Sequence, residues 1–502
     1  MTAGKRLVSA LLLLVAPAAC GNKPDGKAQQ SSGETPRASG SAGPSGSAGA
    51  PDTTAAASAH EPPPAQKVAP KLGAWIKNLG SKAPDGDAGN DYIDPEVGLD
   101  VAVDSEGNAI VTGRYRARAD FGGGELEAVG GTDVVIAQYD KSGAHKWSKS
   151  FGGAETDTGE AVAVDAEDNV YVVASFNGSI DVGAGPYKAE GGGFLVKLDK
   201  GGHYLWSKPI LEGRPAGVAV TPRGDVVVIG GAWKNATVFT EKLDGPATFL
   251  AKLDAAGATQ WVKTYRTTDG RLGVGAAGLA VHTDGSLYLL ATPEKTVDFG
   301  GGPLTSAGSE DVAVVKLDAN GGHVWSKLFG AKSRERAAGI GVDASGAVVF
   351  TGSFSTPVDF GAGPLVSNGG EDAFVVKLDA SGAHAWSKRF GGRGQDDARG
   401  LSVDARGNVA VTGEFTGDAI FDRERLASAG DRDTFIALLD PGGAVVWTKR
   451  FGCPTSEWAG DVAIGGGGGV VATGAFHGKA TYGDQTLSTN GGNDLYLLSI
   501  SD

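Results

Sequence analysis

Short runs of apolar and β-branched residues alternate with turns rich in Gly, Asn and Asp from about residue 73 onward. A run that ends in Asp, such as residues 339–343, precedes a short turn and a β-branched run such as residues 409–413. A Gly-rich excursion follows, and a third run such as residues 374–379 also ends in Asp. Runs of this length between turn residues are typical of strands joined by tight turns. The pattern predicts an all-β protein with little helix.

The same order of elements recurs along the chain. A Trp-x-Lys motif occurs seven times, at Trp75, Trp147, Trp206, Trp261, Trp325, Trp386 and Trp447. An Asp-x-x-Gly turn precedes six of these motifs, beginning at Asp140, Asp199, Asp254, Asp318, Asp379 and Asp440. In such a turn the Asp side chain caps the backbone, and the Gly takes the positive φ of a short hairpin loop. Four strands per unit and seven units predict a seven-bladed β-propeller of four-stranded antiparallel blades.

The repeat also resembles a known family. Its Gly-φ-Ala-Val-Asp-x-x-Gly-Asn-Val-φ-Val-Thr-Gly pattern is similar to the bacterial SBBP β-propeller repeat, a relative of NHL repeats, over residues 73–502. The resemblance implies that the Asp-ending strand lines a central channel and that the Trp strand is outermost. It implies little about activity, because propellers carry many functions.

The repeats also predict how the ring closes. The seventh unit lacks a Trp strand after its third strand, whereas residues 73–80 around Trp75 supply one at the other end of the repeats. We expect this N-terminal strand to complete the last blade, since pairing the two segments removes two open sheet edges.

The first seventy residues are different in character. Lys5 and Arg6 precede an apolar run at residues 7–15, and small residues lead to Cys20. The run is too short to span a bilayer and is typical of a secretory signal. The segment resembles a lipoprotein signal peptide (residues 1–19) with Cys20 as the lipid attachment site; ordinary signal-peptidase cleavage after Ala18 is the alternative. Residues 20–72 are rich in Ser, Gly, Ala and Pro, which predicts a disordered tether.

Composition narrows the possible partners. The formal charge of −14 argues against nucleic-acid binding, which needs a basic surface. The chain has only two cysteines, Cys20 and Cys453, so no disulfide framework is expected, and Cys453 is interpreted as an inert apolar residue.

One repeated position carries charge. Eight residues before the Asp position of the first strand, five of the seven units hold a carboxylate: Glu96, Asp157, Glu335, Asp396 and Glu457. The other two units hold Gly213 and Val274. These acids are predicted to surround one mouth of the channel as a binding ring. Alternatively, they accept backbone N–H bonds and brace the loops.

Other candidate sites are weaker. His145, His323 and His384 occupy equivalent positions in different units, too far apart to bind one metal ion. The Asp-rich residues 85–91 depart from the EF-hand spacing, so calcium is a minor possibility and no cofactor is otherwise expected. The sequence lacks the G-x-S-x-G nucleophile elbow of hydrolases, the zinc-binding H-E-x-x-H helix, a phosphate-binding loop and a dinucleotide-binding fingerprint.

These observations favour a non-enzymatic, lipid-anchored binding or scaffold module of the cell envelope. We expect it at the outer membrane, facing the periplasm or the cell surface, with a protein or glycan partner on one propeller face. The alternative is a propeller hydrolase or lyase, which would need non-periodic acids and bases clustered at the channel mouth. A third hypothesis is a lipoprotein of an envelope-assembly machine. The component of such a machine that the chain resembles has eight blades, whereas the repeats here predict seven.

Overall fold

A computed structural model describes residues 75–80, 97–270, 274–482 and 485–500. All of them belong to the unit that spans residues 66–502. These residues form strands and turns, and within them no helix is long and apolar enough to cross a membrane. The predicted signal peptide (1–19), Cys20, the tether (20–72), the Asp-rich residues 85–91 and Glu96 lie outside the described residues.

The main strands form antiparallel sets of four, named here sheets 1 to 7 in chain order. Sheets 2 and 3 are continuous through the strand Tyr204–Val220 and form one eight-stranded sheet, and two short strands extend sheet 5. Sheet 1 contains Val97–Val103, Ala109–Tyr115, Asp133–Tyr139 and His145–Phe151. Sheet 2 contains Thr158–Val164, Val170–Asp181, Pro186–Leu198 and the first part of Tyr204–Val220. Sheet 3 contains the last part of that strand, Val226–Val238, Ala247–Leu253 and Thr259–Tyr265. Sheet 4 contains Val274–Val281, Leu287–Pro293, Val312–Leu317 and His323–Phe329.

The remaining sheets follow the same order. Sheet 5 contains Glu335–Val342, Val348–Phe354, Asp372–Leu378 and His384–Gly392. Sheet 6 contains Asp396–Val403, Val409–Phe415, Asp433–Leu439 and Val445–Phe451. Sheet 7 contains Glu457–Ile464, Val470–Tyr482, Gln485–Ile500 and the N-terminal strand Trp75–Asn78.

Short strands lie between the second and third strands of several sheets. They are Arg118–Asp120, Glu125–Glu127, Glu241–Lys242, Thr296–Asp298, Pro303–Thr305, Val358–Asp359, Pro364–Leu365, Asp418–Phe421 and Glu424–Ala427. They correspond to the Gly-rich excursions in the sequence.

The second and third strands form the core. In sheet 5 every residue of Val348–Phe354 and Asp372–Leu378 is buried, because neighbouring sheets cover both faces. One apolar cluster joins Tyr288 and Leu290 of sheet 4 to Phe350 and Phe374 of sheet 5. A run that is apolar throughout, and does not alternate, is expected for strands covered on two sides.

The first strand of every sheet is interrupted by a β-bulge opposite the second strand. The register shifts at equivalent positions, for example between Gly159 and Ala161 in sheet 2 and between Ala398 and Gly400 in sheet 6. The extra residue at these two bulges is Glu160 and Arg399, respectively. A bulge redirects the side chain of the extra residue away from the regular pattern of the sheet.

The repeated tryptophans connect neighbouring sheets. Five of the indole N–H groups donate to a backbone carbonyl in the Asp-x-x-Gly turn of the next sheet, at 3.0–3.3 Å: Trp75 to Lys141, Trp147 to Lys200, Trp206 to Ala255, Trp325 to Ala380 and Trp386 to Pro441. The turn glycine packs under the indole, and a Cβ at Gly143 would meet the Trp75 ring at 2.7 Å.

These turns have the predicted conformation. The φ angle of Gly143 is +82°, and the equivalent glycines have φ between +78° and +84°. The Asp140 carboxylate accepts hydrogen bonds from the N–H groups of Ser142 and Ala144. The prediction of Asp-capped turns with a left-handed glycine is therefore confirmed, and the glycine is required both for its φ and for the close approach of the indole.

The N-terminal strand lies at the outer edge of sheet 7. Trp75 pairs with Ser499 and Asn78 pairs with Tyr496 in antiparallel register. Trp75 and Leu497 of this sheet share an apolar cluster with Val101 and Val135 of sheet 1. The strand that precedes all of the other described strands thus packs with both the last sheet and the first.

Candidate functional site

The four described carboxylates of the predicted ring are buried. Asp157, Glu335, Asp396 and Glu457 are each at most 1% exposed. They lie where the connection from one sheet enters the first strand of the next. Glu96, the fifth member, lies outside the described residues.

Each of these carboxylates accepts a hydrogen bond from the backbone N–H four residues before it. The donors are Gly153 to Asp157 at 2.6 Å, Ala331 to Glu335 at 2.9 Å, Gly392 to Asp396 at 2.7 Å and Cys453 to Glu457 at 3.0 Å. Cys453 also donates its thiol to Glu457. The contacts lie within the loop that leads into the same strand. They are those of a loop brace, and they favour that interpretation over a solvent-exposed binding ring.

Burial raises the pKa of all four groups. The pKa of Asp157 rises to about 6, those of Glu335 and Asp396 to about 7, and that of Glu457 to about 8. A second carboxylate adds to the effect in each case, from Asp133, Asp311, Asp372 and Asp433, respectively. A like charge close to a buried carboxylate disfavours its ionisation.

The second carboxylate lies at the start of the third strand of the preceding sheet or directly before it, so each pair spans the junction of two sheets. The bridges are Asp133 with Asp157, Asp311 with Glu335, Asp372 with Asp396, and Asp433 with Glu457. In sheets 2 and 3 the third-strand position holds Gly192 and Ala247, as their register opposite Phe176 and Ala232 shows. The next sheets there begin with Gly213 and Val274. Both carboxylates are therefore absent together at the junctions of sheets 2 with 3 and 3 with 4.

A pocket of about 450 Å³ lies at these two junctions. It is lined by Glu160, Arg214, Pro215, Ala216, Gly231, Trp233, Val274, Gly275, Ala276 and Glu294. These residues come from the start of the first strands and the end of the second strands of sheets 2, 3 and 4. We refer to this cavity as the junction pocket. Its volume is in the range of about 300–1,000 Å³ that is usual for small-ligand sites.

Trp233 is an exposed aromatic residue in the junction pocket. In sheets 1, 2, 5, 6 and 7 the second strand has a buried Tyr or Phe opposite the third-strand position of the carboxylate pair, as Phe354 lies opposite Asp372 in sheet 5. Sheet 3 has the small Ala232 at that position and places its aromatic one residue later, with 38% of Trp233 exposed. Because successive side chains of a strand point to opposite faces, this one-residue shift moves the ring from the core to the pocket.

Glu160 supplies a half-buried carboxylate at the bulge of sheet 2. It accepts a hydrogen bond of 2.5 Å from the Ser175 hydroxyl. Burial raises its pKa, while Ser175 and the positive charge of Arg214 oppose that rise. Arg214 donates to the side-chain oxygen of Asn177 at 3.3 Å, and Glu294 is exposed at the rim. The pocket thus carries both signs of charge beside an aromatic face.

The charged side chains at this end of the sheets do not follow the repeat. The position of Arg214 is held by Thr158, Gly275, Arg336, Asp397 and Trp458 in sheets 2, 4, 5, 6 and 7. A packing requirement common to all sheets would select one residue type here. The residue type at this position is therefore not set by packing that all sheets share.

A second non-periodic cluster lies at sheets 5 and 6. Glu371 and Asp397 hydrogen-bond through their carboxyl groups, and burial, followed by the charge of Asp397, raises the pKa of Glu371. Arg399 and Arg432 both contact Glu414, at 3.3 and 2.8 Å. We refer to these five residues as the acid–arginine cluster.

The other candidates from the sequence have structural surroundings. Cys453 is buried beside Glu457, which with burial raises its pKa to about 11; a low-pKa thiolate would be needed for reactivity. His145 lies against Tyr139, with ring centroids 5.8 Å apart. Among the described residues, no three His, Cys, Asp or Glu side chains converge as metal ligands.

Sequence reasoning did not identify Glu160, Arg214, Trp233 or Glu294. The available signal was the loss of the carboxylate at Gly213 and Val274, which marks the two sheets where the repeat departs from its pattern. The paired loss at Gly192 and Ala247 becomes visible only when the strand register is known.

Comparisons with known proteins support the fold class. No family model matches the chain. The regulatory protein FlaEY of Caulobacter vibrioides is 26% identical over 202 residues, which are 38% of this chain and 21% of that protein. An uncharacterized WD repeat-containing protein, L264 of Acanthamoeba polyphaga mimivirus, is 22% identical over 497 residues, covering 76% of this chain and 35% of that protein. The chain thus spans about a fifth and about a third of the lengths of these relatives.

The chain is also similar to solved structures. The Neurospora crassa Pan2 WD40 domain has a TM-score of 0.34 and 8% identity, covering 68% of this chain and 88% of that one. A glucose dehydrogenase structure has a TM-score of 0.33 and 10% identity, covering 68% and 98%. The WD-repeat relative and the repeated antiparallel sheets together support the general architecture. The chain is a repeat β-propeller.

Proposed function

We propose that the sheets form a closed seven-bladed ring that serves as a non-enzymatic binding module. One strand pairing within sheet 7 and two contacts between sheets 1 and 7 support closure. Trp75 pairs with the third strand of sheet 7 and donates its indole N–H to Lys141 of sheet 1 at 3.0 Å. Asp100 of sheet 1 and Asp461 of sheet 7 hydrogen-bond through their side chains. In this arrangement the N-terminal strand completes the last blade, and the sheet numbers are also blade numbers.

One observation supports the binding role. The residue types at one end of the sheets differ from repeat to repeat, whereas the core residues recur. Trp233 and Glu160 differ in type from the residues at the equivalent positions of other sheets, and the position of Arg214 holds an arginine again in sheet 5, as Arg336, whereas the Trp turns and the buried strands recur. A scaffold alone does not require an exposed Trp beside side chains of opposite charge. A protein or glycan partner at this mouth of the propeller accounts for these residues.

The cellular setting of the proposal comes from the sequence. The resemblance to SBBP-type repeat lipoproteins and the small residues before Cys20 favour a signal peptide over residues 1–19 and a lipid anchor at Cys20. With residues 20–72 as the tether, the propeller would be held at the outer membrane, facing the periplasm or the cell surface. The acidic charge of the chain is consistent with a partner that is not nucleic acid.

The proposal is tested by capture from detergent-solubilised cell envelope with the immobilised full-length chain. Arg214→Ala removes a mouth charge, and Arg223→Ala is the matched control because it is exposed in the turn at the opposite end of sheet 3. We expect the captured protein or polysaccharide to decrease with Arg214→Ala and to persist with Arg223→Ala. Equal capture by both variants, or no specific capture by wild type, contradicts a binding mouth.

A propeller hydrolase or lyase is the second candidate, and the acid–arginine cluster favours it. Glu371 and Asp397 share a hydrogen bond, and burial raises the pKa of Glu371, which makes Glu371 the candidate proton donor that general acid–base chemistry requires. Turnover of a glycan or ester substrate panel that is abolished by Glu371→Gln, with unchanged folding, would favour this enzyme. Absence of any turnover by wild type leaves the binding proposal in place.

A further inference from the structure

At the junction pocket the repeat lacks the buried carboxylates that it has at the other described junctions. At the other described junctions a pair of buried acids spans the two sheets, as Asp372 at the start of the third strand of sheet 5 and Asp396 at the start of the first strand of sheet 6 do. Between sheets 2 and 3 and between sheets 3 and 4, Gly and apolar residues replace both members. At the second of these junctions the Thr248 hydroxyl instead donates to the Val274 carbonyl. Removing these carboxylates leaves the surface there to the pocket-lining residues.

The pocket has a flat apolar surface next to polar groups. The Trp233 indole lies beside Gly191, whose backbone would place a Cβ 3.5 Å from the ring, so no side chain covers it from there. Pro215 and Ala276 add further apolar surface. Aromatic rings bind weakly polar C–H faces through their electron-rich faces and through apolar contact.

The polar groups select against ligands with a strong net charge. Arg214 would repel a cationic group, and Glu160 and Glu294 would repel an anionic one. The same three side chains offer both donors and acceptors within one pocket. A neutral ligand with many hydroxyl groups and one apolar face fits the apolar ring, the mixed charges and the hydrogen-bonding groups of the pocket. A sugar ring has this chemistry.

We propose that the junction pocket binds a neutral saccharide, with a sugar ring stacked on Trp233 and its hydroxyl groups bonded to Glu160 and Arg214. This inference rests on the proposed binding function and names its ligand class. In the complex, Glu160 accepts from sugar hydroxyls while keeping its bond from Ser175, and Arg214 donates to them. Glu294 closes the outer side of the pocket.

The test is a binding titration of the full-length chain in detergent, by calorimetry and saturation-transfer NMR. The probes are cellobiose, maltose and N,N′-diacetylchitobiose, with glucuronic acid and a hexa-arginine peptide as charged competitors for the same pocket. We expect saturable binding of at least one neutral disaccharide. Trp233→Ala should weaken it at least tenfold, which corresponds to about 1.4 kcal/mol. Glu160→Gln, which keeps the shape and one acceptor oxygen, should weaken it by a smaller factor.

Leu205→Ala is the control variant, because Leu205 is 47% exposed on the fourth strand of sheet 2, outside the pocket. It should bind saccharide as wild type does. The inference is overturned if no neutral disaccharide binds, if the arginine peptide alone binds, or if Trp233→Ala leaves the affinity unchanged. Failure of these titrations together with Arg214-dependent capture from the envelope would overturn the saccharide and retain the binding module.

Discussion

Replacing Trp75 tests whether the N-terminal strand closes the ring. Trp75 is 8% exposed, packs on Gly143 and donates to the Lys141 carbonyl of sheet 1. Loss of a buried Trp side chain costs about 3–5 kcal/mol, and a hydrogen bond contributes about 1 kcal/mol. We therefore expect Trp75→Ala to lower the free energy of unfolding by about 3–5 kcal/mol. Trp75→Phe keeps most of the packing and should lose only about 1–2 kcal/mol.

The matched comparison is Trp147→Ala, because Trp147 makes the same contact from sheet 1 to the turn of sheet 2, donating to Lys200 at 3.1 Å. Urea unfolding followed by far-ultraviolet circular dichroism gives the free energies, and hydrogen exchange at residues 495–499 reports on the edge that Trp75–Asn78 covers. If Trp147→Ala is destabilised while Trp75→Ala unfolds as wild type does, closure by the N-terminal strand is refuted.

Two deletions separate the strand from the tether. Removing residues 21–70 should leave the free energy of unfolding unchanged if the tether prediction is right, whereas removing residues 21–82 also takes away Trp75–Asn78 and exposes the edge of sheet 7. The second deletion should also increase association between molecules, since an uncovered strand edge pairs with other chains. Equal stability of the two deletion variants would contradict the same closure.

Three further predictions concern the buried acids and the anchor. Because burial holds the pKa of Asp396 near 7, the folded state binds more protons than the unfolded state between about pH 4 and 7, so stability should fall as pH rises through 7, by about 1–3 kcal/mol for one group. Asp396→Asn should reduce this slope, whereas Asp140→Asn, in an exposed turn, should not. A wild type that gains stability up to pH 8 would contradict the assignment. Replacing Glu335, Asp396 and Glu457 together with their amides should leave envelope capture unchanged if they are braces, and lost capture with unchanged melting temperature would revive the binding ring. Cys20→Ala should move the protein from the membrane pellet to the soluble periplasmic fraction, and retention in the pellet after a salt wash would argue against lipidation.

Much of the fold follows from local rules that the sequence displays. The Asp-x-x-Gly turns need a capping carboxylate and a residue with positive φ, and the chain has both at a regular spacing. The all-β class follows because the apolar runs are too short for helices and end in such turns. The pairing of Trp75 with Ser499 spans more than four hundred residues, yet the repeat phase alone predicts it.

The candidate site was less accessible to the sequence because it depends on register. Whether a residue at the end of a strand is buried or exposed changes with a shift of one position. Ala232 occupies the position where most other sheets have a buried aromatic residue, and Trp233 occupies the next position. Only the pairing of Ala232 with Ala247 shows this assignment. The burial of Asp157 and Glu457 was also hidden, since the acids of the third strands lie in different repeats.

The paired loss of carboxylates links the structural argument to the functional one. A lone acid that bound a ligand could be replaced without any change in the sheet before it. Instead, Gly213 and Val274 occur where the preceding sheets have Gly192 and Ala247, so the two positions behave as one unit that spans a junction. A unit that braces loops is dispensable only where other contacts hold the junction or where an open surface is useful. The junction pocket, with its exposed Trp233 and its mixed charges, lies at both places where the unit is missing. The proposed binding surface is therefore assigned to the place where the repeat is least regular, and not to the repeated acids themselves.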